Sequence, residues 1–263
     1  MSRPTEHHHK YFLTAGECGA QGTMPVTLLV ERIIETATEH ANQLDIGYST
    51  LIQTNIGWVL SRLSFEMERW PAINESYALT TWIESYNRCF SDRCFEITAE
   101  DGTVIGHART VWTAIDMARR TLADLSIYER DAFPVSTRVC PIEKNRRLGA
   151  LPADAAETAY RFRYCDIDFN RHVNTVRYIQ LILNQWDMHR YDNYAVRRLD
   201  ISFLHECYFG EDVTLRLTTQ GDRSDCEIVR DSTRVVGASV FWRHCIFTVS
   251  YTHLRAHETL SDL

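Results

Sequence analysis

The chain has 263 residues, of which 44% are hydrophobic and 24% charged, with a formal net charge of −7. This is the mix of a packed soluble protein of one large or two modest domains. The acidic balance argues against nonspecific nucleic-acid binding, which needs a basic face for the phosphates, but it leaves room for local basic patches and an acidic protein partner.

Residues 1–10 contain no apolar core of a secretory signal and read as a flexible leader. His7, His8 and His9 fall in it, and three adjacent histidines without a scaffold are a poor metal site. No apolar run approaches the ~20 residues that span a bilayer. The eight cysteines form no C-x-x-C pair, which suggests a reducing, cytoplasmic setting.

From Thr27 to Ala41, Leu28, Leu29, Ile33, Ile34 and Ala37 recur at helical spacing, and Pro25 suits a helix start. Alternation over Leu63–Glu68, β-formers over Tyr77–Ser85, and runs Cys94–Ala99 and Val104–Ile115 around Asp101-Gly102 predict an antiparallel meander. Residues 131–155, with Pro134, Pro141 and Pro152, read as linker. A second helix is predicted over Val173–Trp186, followed by strands at Leu199–Phe203, Val213–Thr218, Cys226–Val229 and Val235–Trp242.

The halves therefore repeat one order of elements, a sign of internal duplication. Arg62-Leu63 matches Arg198-Leu199 (198 − 62 = 136), and Glu75 matches Glu211 at the same offset. The implied fold class is α+β, a tandem (double) hotdog, with a long helix wrapped by a curved antiparallel sheet in each half. Residues 245–263 break the pattern and read as a non-native or disordered tail.

The informative segment is Cys165–Asn174. Asp168, Asn170, His172 and Asn174 fall on every second residue, which in an extended segment puts them on one side, near the start of the second helix. Unpaired N–H groups there can stabilise an oxyanion. The competing reading is a capping loop, with Asn170 or Asn174 as the cap, and spacing alone slightly favours it. Glu206 follows a strand, where a carboxylate is usually solvated, and Cys207 beside it usually just packs. A metal site ranks lowest, because no His/Cys pair has ligand spacing.

The run Asp166-Ile-Asp-Phe-Asn-Arg-His-Val-Asn-Thr-Val-Arg-Tyr-Ile179 resembles the signature of the plant and bacterial acyl-acyl carrier protein (acyl-ACP) thioesterases. Trp58-Val-Leu-Ser-Arg62, Trp82-Ile-Glu84 and Ala108-Arg-Thr-Val-Trp112 are similar to segments of its first half. The resemblance covers about Tyr11 to Trp242. It implies an N-terminal hotdog over 11–130 and a C-terminal hotdog with the active site over 156–244. It also implies hydrolysis of fatty acyl-ACP to free fatty acid and carrier. Carried over, the catalytic residues are Asp168, Asn170, His172 and Glu206, with Cys207 and Asn174 as neighbours. No metal or other cofactor is implied.

The mechanism expected is direct attack by water. Glu206 is the base, aided by His172, and an ordinary Glu pKa of ~4.3 must rise by burial for this to work near neutrality. Asp168 orients Asn170 and His172, while Asn170 and helix-start N–H groups hold the oxyanion. Leu29, Ile33 and Trp58 of the first half are the expected wall of the acyl tunnel, although core is the commoner role for each. The partner is an ACP carrying a 4'-phosphopantetheine-linked acyl chain. Its candidate docking residues are Arg88, Arg93, Arg119, Arg120, Arg146, Arg147, Arg197 and Arg198. An acyl-CoA thioesterase, a carrier-linked dehydratase and a non-catalytic acyl-carrier binding module stay open as alternatives. A homodimer is compatible with the sequence.

Overall fold

The computed structural model describes residues 3–128, 133–145 and 148–245. Its first half runs β1 (Glu6–Phe12), α1 (Val26–Gln43), α2 (Tyr48–Leu51), β2 (Ile56–Met67), β3 (Ser76–Tyr86), β4 (Phe90–Ala99), β5 (Val104–Asp116) and β6 (Thr121–Leu122). The second half runs β7 (Ala156–Arg161), α3 (Thr175–Leu183), α4 (Met188–Asn193), β8 (Tyr194–Phe203), β9 (Asp212–Gln220), β10 (Arg223–Arg230) and β11 (Thr233–His244). The class is α+β. Among the described residues no helix is long and apolar enough to cross a membrane.

All strands join one antiparallel sheet in the order β1-β3-β4-β5-β2-β8-β11-β10-β9-β7, with β6 on β5. The order reads the same from either end once each strand is replaced by its counterpart in the other half. At the centre β2 pairs with β8 from Arg62↔Ser202 to Glu66↔Arg198. The 136-residue offset carries Ser64 onto Asp200, and these two residues pair with each other. A pseudo-two-fold axis between them is what such a self-pairing requires.

Helix α1 forms because its apolar positions recur at three and four residues. Leu29, Val30 and Ile33 are fully buried in a core that also takes Leu63, Phe65 and Phe95 from the sheet and Ile179 and Ile182 from α3. Burying each such side chain is worth about 1.5–3 kcal/mol. The linker lies against the sheet. Asn145 Nδ2 donates to the carbonyls of Leu63 and Ile201, so one amide bridges the two central strands, and Arg109 donates to the carbonyls of Cys140 and Ile142.

Three expectations need correction. The leader is not flexible over its length, because Glu6–Phe12 is strand β1, paired residue for residue with β3. Its inward positions His7, His9 and Tyr11 face α1 with polar ring atoms partnered there, so apolar alternation never shows in the sequence. Strand β7 was unpredicted for a similar reason, as a largely exposed edge strand. The second helix is shorter than predicted, since Val173 donates its N–H to the Cys207 carbonyl and stays outside α3. Of the expected tail, residues 246–263 lie outside the described residues.

Candidate active site

The approach to each long helix is built on one frame. Thr14 N–H donates to Glu17 ahead of α1, and Arg163 N–H donates to Asp166 ahead of α3. Gly19 N–H donates to the Thr23 carbonyl, as Asp168 N–H does to that of His172. Gly22 and Arg171 both adopt positive φ, +70° and +68°. Thr23 bridges to Ala72, and His172 to Tyr208. Glu75 and Glu211 each accept the N–H three residues before them, from Ala72 and Tyr208, at 2.9 Å. The loop that follows β8 is thereby laid alongside the turn that enters α3.

The segment 168–172 is a turn, not the extended run expected. Asp168 Oδ1 accepts the N–H groups of Asn170 (2.8 Å) and His172 (3.2 Å), and closing this ring forces Arg171 into the left-handed region. Asn174 is the N-cap of α3, its Oδ1 taking the Val176 N–H at 2.8 Å, so it serves the helix. The backbone N–H groups of Asn170, His172 and Val176 are spent internally.

His172 Nδ1 lies 3.4 Å from Glu206 Oε1. The other Glu206 oxygen contacts the Arg120 guanidinium, which comes from the β5–β6 turn of the first half. Burial, then the Arg120 charge, lowers the His172 pKa from its ordinary 6.5, opposed by Asp168. The imidazole is therefore neutral at physiological pH. The Tyr208 ring meets that of His172 edge-on at 5.1 Å.

Asn170, His172, Glu206 and Arg120 line one cavity of about 270 Å³, together with Phe169. Its other walls come from the first half: Ile34, Ala37, Thr38 and Ala41 of α1, Tyr48 of α2, and Trp58 of β2. Trp58 lines this cavity, its Nε1 donating to the Ile46 carbonyl. Leu29 and Ile33 do not, because they are fully buried on the core side of α1. Cys207 is also fully buried and does not line the cavity. Burial pushes its thiol pKa up, and its N–H donates to Tyr178 Oη at 3.1 Å. Those are the surroundings of a packed thiol.

An acyl-ACP thioesterase N-terminal domain model matches residues 4–127, and a C-terminal domain model matches 149–246. The chain belongs to the acyl-ACP thioesterase family. It is 26% identical over 232 residues to oleoyl-acyl carrier protein thioesterase 1, chloroplastic, of Arabidopsis thaliana, covering 81% of this chain and 63% of the relative. It thus spans under two thirds of that relative's length. The crystal structure of an acyl-ACP thioesterase from Bacteroides thetaiotaomicron superposes with a TM-score of 0.85 at 28% identity, covering 91% of this chain and 98% of the other. The 12:0-ACP thioesterase from Umbellularia californica shares the fold, with a TM-score of 0.81 at 18% identity over 92% of this chain and 98% of its own.

Among the suggested carrier-docking arginines, Arg93 and Arg198 are buried. Arg93 donates to His40 Nδ1, and Arg198 is paired with Glu66 and Asp200. Both are structural. Arg120 belongs to the site. Arg88, Arg119 and Arg197 are exposed, while Arg146 and Arg147 lie outside the described residues. The site residue that sequence reasoning misplaced is Arg120, since nothing local links it to Glu206.

Proposed function

We propose that the protein hydrolyses fatty acyl-ACP thioesters to free fatty acid and ACP, on a tandem hotdog scaffold whose catalytic centre is in the second half. One observation carries the reading. The cavity that collects Asn170, His172 and Glu206 continues into an apolar wall from α1 and Trp58, so a polar reaction centre and an acyl chain can share it.

In the proposed reaction, a water held between Glu206 and His172 attacks the thioester carbonyl carbon as Glu206 accepts its proton. The carbonyl oxygen becomes an oxyanion against the Asn170 amide. Collapse of the tetrahedral intermediate breaks the C–S bond. The thiolate, whose thiol has pKa ~8.5 by analogy with Cys, leaves with little acid help and takes the proton from Glu206. Asp168 positions Asn170 and His172 through their backbone N–H groups. Arg120 keeps Glu206 turned toward His172. The 3.4 Å separation of His172 and Glu206 suits a pair that tightens once substrate and water are bound.

The carrier is the proposed partner, with exposed Arg88, Arg119 and Arg197 as candidate contacts for its acidic surface. The eight free cysteines fit a reducing, cytoplasmic setting. The test is release of free fatty acid from a panel of acyl-ACPs, with the matching acyl-CoAs alongside. Faster turnover of acyl-ACP is expected. Turnover of acyl-CoA alone would replace the carrier assignment, and no release from either by folded protein would overturn the reading.

A further inference from the structure

Strand β1 turns His7 and His9 to the same side, since residues two apart share a face. That side meets α1 at Glu39. His7 Nε2 lies 2.8 Å and His9 Nδ1 2.7 Å from the same oxygen, Glu39 Oε2. The two ring nitrogens and a carboxylate oxygen all lie within 4.8 Å of one another. The three side chains are 15%, 33% and 35% exposed, which leaves a path for an ion to enter. The second nitrogen of His7, Nδ1, is 2.9 Å from the Gln43 amide.

We propose that His7, His9 and Glu39 form a binding site for a divalent transition-metal ion of the zinc class, pinning the edge strand β1 to α1. Two imidazoles and one carboxylate are a ligand set that suits zinc, cobalt, nickel or copper rather than magnesium or calcium. Three protein ligands leave one position of a tetrahedral ion for water. On binding, the ion replaces the two ring protons that Glu39 Oε2 now accepts. Each neutral ring then carries its proton on its other nitrogen. For His7 that is Nδ1, and the Gln43 amide, turned to present its oxygen, accepts it. This is the outer-shell partner that fixes a metal-bound imidazole.

His40 is excluded from the set. Its Nδ1 accepts from Arg93 and its Nε2 faces the Pro4 carbonyl. His8 points to the opposite face of the strand, where Nδ1 meets Thr80 Oγ1. It is the built-in control, because three consecutive histidines acting as an unstructured chelator would use it as readily as the others.

The experiment is equilibrium dialysis of the untagged full chain against zinc chloride, with the absorption spectrum of the cobalt(II) form as a second readout. The expected result is one ion per chain. His9→Gln and Glu39→Gln should each weaken binding about 10-fold or more, and His8→Gln should not change it. Zinc at 100 times its Kd should raise the Tm of the parent by about 5–10 °C. The Tm of each variant in chelator shows whether it is folded. No saturable zinc in the parent would overturn the site. Equal weakening by His8→Gln, or an unchanged affinity in a folded Glu39→Gln, would do the same.

Discussion

The two helix-entry turns share a backbone and differ in chemistry. At the 149-residue offset of the turns (168 − 19 = 149), Gly19, Gln21 and Thr23 stand where the second half has Asp168, Asn170 and His172. At the 136-residue offset of the following strands, Trp70 stands where Glu206 does. Trp70 is buried and its Nε1 donates to the Val196 carbonyl at 3.0 Å, so it packs the space instead of presenting a base. A cavity of about 540 Å³ still opens beside the first turn, walled by Leu183 and Trp186 from the second half. The duplicated frame therefore makes two pockets, and of these the second holds the His172–Glu206 pair. Each pocket is built from both halves: each turn borrows the other half's long-helix region for its apolar wall, and the second borrows Arg120 as well.

That asymmetry can be broken by matched substitutions. His172→Ala should cut kcat by about 10²–10⁴-fold with the Tm nearly unchanged, whereas Thr23→Ala at the equivalent place should leave kcat alone. Steady-state release of fatty acid from acyl-ACP compares them directly. Asn170→Ala should cost about 10²-fold in kcat, the usual loss of one oxyanion donor. Gln21→Ala should cost nothing, and a shared loss would mean that both pockets turn over substrate.

The Arg120 contact sharpens the comparison through pH. The guanidinium is the second contributor, after burial, to the lowered pKa of His172. If neutral His172 is needed, activity falls as pH drops through that value, below 6.5 in the parent. Arg120→Ala removes one depressing influence, so the acid limb of kcat/KM should move to higher pH. A limb that stays put would show that His172 does not titrate in the rate. Cys207→Ser has the smallest expected effect, a rate close to that of the parent, because the thiol faces away from the cavity.

Much of this fold was readable in the sequence, because its inner elements carry strong periodicity. Both long helices and the inner strands follow from apolar spacing in segments such as Leu28–Ala37 and Val235–Trp242. The edge strands were not readable. In β1 the buried face is made by His7, His9 and Tyr11, whose partners on α1 are 25 to 36 residues away. Within the site, Asp168, Asn170, His172 and Glu206 could be named as residues, but not as a geometry. Period two suggested one face of an extended run, yet Asp168 folds the run back by accepting two N–H groups. The residues lining the cavity differ from those expected by one step of helical phase: Ile33 faces the core and Ile34 faces the cavity. Arg120 had no sequence signal, since its partner is 86 residues away (206 − 120 = 86) in the other half.

The most direct test compares Glu206→Gln with the Gln21→Ala/Thr23→Ala double variant in free-fatty-acid release from acyl-ACP. Loss of turnover in a folded Glu206→Gln protein, with the double variant at the parental rate, is the predicted result. A Glu206→Gln enzyme that keeps the parental rate would contradict the assignment of the base and of the second half as the catalytic one.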